Sequence, residues 1–77
     1  MIGYVSDERY VALHDVALEF ERDGRCVAVA RSTARGAVHA DLPPGDYRVT
    51  LARDGYGAKS VDLAVAEGQD RPYQFRL

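Results

Sequence analysis

Apolar residues recur at every second position along almost the whole chain, and that period admits strands and little else. Val16, Leu18 and Phe20 alternate with Ala17, Glu19 and Glu21, and Tyr47, Val49 and Leu51 with Arg48, Thr50 and Ala52. Val61, Leu63 and Val65 alternate with Asp62, Ala64 and Ala66, and Tyr73, Phe75 and Leu77 with Gln74 and Arg76. Successive side chains of a strand point to opposite faces, so each run has one face to bury and one to wet. No stretch keeps helical spacing over three turns without turn residues intervening. No long helix is expected.

Turn chemistry divides these runs. Asp23-Gly24 between two strand-like stretches is a strong hairpin signal. Pro43-Pro44-Gly45-Asp46 breaks the chain, because proline lacks a donor and fixes φ. Asp54-Gly55-Tyr56-Gly57 and Glu67-Gly68-Gln69-Asp70 punctuate the second half. The strands predicted are 1–5, 15–22, 25–32, 37–41, 46–53, 58–66 and 72–77. Seven short strands with regular turns imply a β-sandwich, with a single up-and-down barrel as the other closure.

Seventy-seven residues make one small domain, spanning 1–77. A final strand that runs to Leu77 fits either a complete compact domain or one excised from a longer polypeptide. Burial contributes about 110 kcal/mol at ~25 cal/mol/Å², and ordering costs about 115 kcal/mol at ~1.5 kcal/mol per residue. Such a chain folds alone but has no core to spare for a deep catalytic cavity. A hydrophobic content of 47% excludes a disordered tail, and a net charge of −2 argues against nucleic acid or an anionic membrane as main partner. No apolar run approaches the ~20 residues of a membrane span, and no signal peptide opens the chain. With the single Cys26, this points to a reducing, cytoplasmic location.

Taken in order, the punctuation resembles a known module. Gly3-Tyr4-Val5-Ser6-Asp7 is similar to an opening Gly-x-Val-Thr-Asp strand, and Val16-Ala17-Leu18 follows after a short connection. Ser32-Thr33-Ala34-Arg35-Gly36-Ala37-Val38 is similar to a Thr-Asp-x-x-Gly-x-Phe corner. Leu42-Pro43-Pro44-Gly45-Asp46-Tyr47-Arg48-Val49 resembles a Leu-Pro-x-Gly-x-Tyr-x-Val signature, and Gly55-Tyr56 the Gly-Tyr closing the next strand. These are features of the carboxypeptidase regulatory-like, or transthyretin-like, domain. The resemblance implies an all-β, seven-stranded antiparallel Greek-key β-sandwich of prealbumin type. Thr33 and Arg35 replace the acids of the family's corner, so cation binding there is not inherited. Asp15 stands where the family usually has glycine. The opening ten residues and the 42–59 stretch also resemble an N-terminal module of proteins related to the large subunit of N,N-dimethylformamidase, which implies an accessory domain of an amidohydrolase whose catalytic part lies elsewhere.

The signature has a physical reading of its own. Leu42 points inward, Pro43 and Pro44 stiffen the reversal, and Gly45 permits a backbone angle that a side chain resists. Tyr47 re-enters the core with its hydroxyl in reach of a loop carbonyl. This is a device of the fold.

Residues able to carry chemistry are scattered. His14 and His39, each beside an aspartate (Asp15, Asp41), are the only imidazoles, and no spacing holds them on one element. Ser6, Ser32 and Ser60 lack a triad context, and Cys26 has no flanking base. Gly55 and Gly57 follow a strand with no helix to complete a phosphate site. Asp7-Glu8, Glu19 and Glu21 read as solvated surface. The nine arginines against the single Lys59 suit interfaces, though genomic composition explains them equally. No catalytic, metal or cofactor site is expected, and the chain is not expected to be an enzyme.

Parity leaves one feature. If Ser32 points inward, Cys26, Ala28 and Ala30 lie inside and Val27, Val29 and Arg31 outside, near Ala17, as a modest apolar patch. A bulge that swaps parity would instead bury both valines. A second contact is expected on strand 1–5, read as an outer strand carrying Ile2 and Tyr4, whose uncovered edge could support a weak dimer. The function expected is therefore a non-catalytic accessory module that docks against another domain or a protein partner, as monomer or weak dimer. Carbohydrate binding through exposed Tyr4, Tyr10 and Tyr56 is the alternative.

Overall fold

Seven strands form in the expected order in a computed structural model that describes residues 1–68 and 71–77. They are β1 (Ile2–Ser6), β2 (Ala17–Arg22), β3 (Arg25–Arg31), β4 (Ala37–His39), β5 (Gly45–Arg53), β6 (Gly57–Val65) and β7 (Tyr73–Arg76). Among the described residues there is no helix, and none therefore long and apolar enough to cross a membrane. Gln69 and Asp70, placed in a turn by the sequence, lie outside the described residues.

Two sheets carry these strands: β4-β1-β7, and β3-β2-β5-β6. Their facing sides share one core of Val5, Leu13, Val16, Leu18, Phe20, Val38, Ala40, Tyr47, Val49, Leu51, Leu63 and Phe75. These are the inward members of the alternating runs, as the pleat requires. The molecule measures 30 × 27 × 17 Å, the thin dimension fitting two layers.

Two expectations are corrected. The sandwich is not wholly antiparallel, because β1 pairs with β4 antiparallel but with β7 parallel, Val5 opposite Phe75. A parallel partner needs a long crossover, and here the crossover is everything from β2 to β6. For the same reason β1 is not an outer strand: it is the centre of its sheet, flanked on both sides. Alternation tells which side of a strand is wet, not which neighbours it has.

Strand ends differ by small local causes. The stretch from 15 enters the sheet only at Ala17, because Asp15 is left-handed (φ 58°) and Val16 donates its N–H to the Ser32 hydroxyl at 2.9 Å. That hydroxyl donates in turn to the Leu13 carbonyl at 2.7 Å, so this buried serine ties the β1–β2 connection to the end of β3. Asp15 adopts by side-chain tolerance the backbone state a glycine there would adopt freely. Asp23 and Gly24 both have positive φ (53° and 76°), as a two-residue hairpin turn of type I′ requires, and Arg22 pairs with Arg25 across it.

Candidate interaction surface

The β2–β3 hairpin holds a conflict between two registers. From its turn, Arg22 pairs with Arg25 and Glu21 with Cys26. Counting on without interruption would set Val27 beside Phe20 and Val29 beside Leu18, on the core face. Instead Phe20 pairs with Ala28 and Leu18 with Ala30, and Val27 has no partner on β2. One bulge thus reverses parity part-way along β3. Ala28 and Ala30 take the core face, half buried, while Val27 and Val29 are 52% and 70% exposed.

The bulge anticipated as a way to bury the valines therefore acts in the other sense and exposes them. Cys26 lies before it, opposite outward Glu21, and is exposed. Its expected place inside is corrected, because the parity read back from Ser32 holds only as far as Ala28. Arg31 is also outward and bridges to Asp15 at 3.1 Å.

Across the four-stranded sheet, the outward residues form rows. Val29 continues into Glu19, Thr50 and Ser60, and Arg31 into Ala17, Ala52 and Ala58. Thr50 and Ser60 hydroxyls are 3.1 Å apart. The side chains are short apart from Glu19 and Arg31, so the face is low in relief. The next row holds Glu21, Arg48 and Asp62, with Arg48 and Asp62 3.5 Å apart.

Ile2 and Tyr4 lie on the other sheet. They are 54% and 41% exposed on the outer face of β1. With Val27, Val29 and Arg31 on β3, the five residues form two surfaces on opposite sides of the sandwich, not one patch. Tyr4, Tyr10 and Tyr56 do not converge either, since each lines a different concavity. Arg76 stacks 3.9 Å from the Tyr10 ring centroid and Arg53 5.0 Å from that of Tyr56, which occupies one face of each ring.

The signature residues are placed as structure. Gly36 is buried with φ 75°, and a Cβ there would lie 2.6 Å from the Val5 carbonyl oxygen. The Thr33 hydroxyl accepts from Ala37 N at 3.2 Å and closes the corner around it. Leu42 packs against the core, Pro43 and Pro44 are exposed, and the Tyr47 hydroxyl donates to the Pro43 carbonyl. Gly45, at φ 151°, lies under the Arg22 guanidinium, which also sits over Tyr47 at 5.5 Å. Gly55 (φ 85°) and half-exposed Tyr56 form the β5–β6 turn.

The remaining polar residues stay apart. His14 Nε2 lies 3.5 Å from Arg53 Nη2, and His39 Nε2 lies 3.7 Å from Asp41 Oδ1. Among the described residues, no three His, Cys, Asp or Glu side chains gather as a metal-ligand set. Ser32 is engaged by Leu13 and Val16, and Ser60 by Thr50. No protein-family model matches the chain, and neither does any curated protein.

Proposed function

We propose that this chain is a non-catalytic docking module, with the outer face of the four-stranded sheet around Val27 and Val29 as its contact for another domain or a protein partner. One observation carries the reading: the β3 bulge turns outward two valines that the hairpin register would have buried. The valines, 52% and 70% exposed, each forgo about 1–2 kcal/mol of burial, part of the full-burial value, and bulges that re-aim side chains are usually retained for a purpose. The low relief of Ala17, Ala52, Thr50 and Ser60 suits a flat partner surface.

We also propose a carboxypeptidase regulatory-like, prealbumin-type Greek key for the sandwich. The left-handed Asp15 at the family's glycine position, the buried Gly36 corner and the Tyr47–Pro43 hydrogen bond support it. An accessory place beside the catalytic part of an amidohydrolase is one form that docking would take, with a cytoplasmic setting.

A photo-crosslinking amino acid at Glu19, exposed beside Val29, tests the docking face in the organism that makes the protein. The expected result is an adduct with a different polypeptide, or with another part of the same one, lost when Val27 and Val29 are changed to serine. Adducts formed only from position Tyr4, on the opposite sheet, would overturn the reading.

A further inference from the structure

The two sheets leave four strand edges, and three of them resist pairing with another chain. The edges β4 and β7 are three and four residues long, and the Tyr10–Arg76 stack covers the end of β7. The nine-residue β6 has Lys59 opposite Leu51, so a charged side chain starts from its core-facing side. Short edges and inward-pointing charges are the recognised ways of blocking edge pairing. The fourth edge, β3, has neither, and the other blocking device, a bulge, is confined to Val27 at the start of the run. From the bulged Val27 onward it offers Val27-Ala28-Val29-Ala30-Arg31, with no proline, no lysine and no inward charge.

We infer that β3 pairs with β3 of a second copy, antiparallel about a two-fold axis at Val29, joining two four-stranded sheets into one of eight. A two-fold contact must be self-complementary, residue i meeting j and j meeting i. Centred on Val29, the pairs are Val29 with itself, Ala28 with Ala30 and Val27 with Arg31. No like charges then stand opposite one another, and Arg31 keeps its own Asp15 at 3.1 Å. Centring on Ala28 would set Arg25 against Arg31, a repulsive cross-strand pair. The most exposed valine, at 70%, thereby lies at the axis.

Five residues a side bury less than a standard interface, so association is weak, in the range of ~0.1–1 mM. The inference uses the strand edge, whereas the docking reading uses the sheet's outer face, so either can fail alone. Sedimentation equilibrium of the full chain up to about 1 mM should give a mass rising from monomer toward dimer. Isotope-filtered NMR on a mixed labelled and unlabelled sample should give contacts between Ala28 and Ala30, and between Val27 and Arg31, of different copies. Val29→Lys, at a solvent-facing position that leaves the core untouched, should hold the mass at monomer. A wild-type monomer throughout, a dimer undiminished by Val29→Lys, or intermolecular contacts from another strand would each overturn it.

Discussion

At the scale of single residues, backbone conformation and satisfied hydrogen bonds decide more than surface charge. Removing the Ser32 hydroxyl leaves Val16 N–H and Leu13 C=O without their side-chain partner in a buried place. Ser32→Ala should cost about 1–3 kcal/mol, read by urea unfolding. Asp15 and Gly36 both hold positive φ, for different reasons. Asp15 is exposed, so Asp15→Gly should fall within about 0.5 kcal/mol of wild type, whereas Asp15→Val should lose about 1–3 kcal/mol to left-handed strain. Gly36→Ala adds a clash with the Val5 carbonyl and should lose more than Gly24→Ala, where a Cβ meets nothing within 4 Å. Much of this was legible beforehand: the Leu-Pro-x-Gly-x-Tyr pattern pointed to the Tyr47 hydroxyl reaching back to its loop. The side of Cys26 was not, because parity counted from one end of β3 fails at a bulge that no residue type announces.

At the scale of elements, alternation located the runs that became β2, β5, β6 and β7, and the turn residues between runs delimited the other three. It could not order them. Placing β1 between β4 and β7 depends on where the chain crosses between sheets, and that follows from packing the whole set, not from any one strand. The grouping of exposed residues was half legible for the same reason, since Val27 and Val29 were read as outward from Ser32 while Ile2 and Tyr4 belong to the opposite side. The hairpin supplies an element-scale prediction. Val27 is the residue without a partner on β2, so its deletion should leave Arg22–Arg25 and Phe20–Ala28 paired and the bulge gone. The shortened hairpin should fold with stability within about 1 kcal/mol of wild type, with amide exchange showing an uninterrupted β2–β3 ladder. Loss of the fold on deletion would place the bulge elsewhere.

At the scale of the molecule, twelve buried apolar side chains among the described residues hold two layers together. Leu18 and Leu51 are fully buried on the two central strands of the larger sheet, with no exposed surface to compensate a truncation. Leu51→Ala should cost about 2–5 kcal/mol, a large part of the stability of a domain this size, and far-UV circular dichroism should find much of the variant unfolded at 37 °C. The parallel β1–β7 pairing has a mechanical corollary. Leu77 N–H reaches the Ser6 carbonyl at 2.9 Å, so the register continues to the last residue. Tension applied between residues 1 and 77 pulls these two neighbours lengthwise in opposite directions and loads their bonds in shear, all at once. Pulling from residues 24 and 45, which lie at the same end of the antiparallel β2–β5 ladder, opens rungs one after another. In an optical trap the first geometry should break at the higher force, which would let the module pass strain along a polypeptide without coming apart.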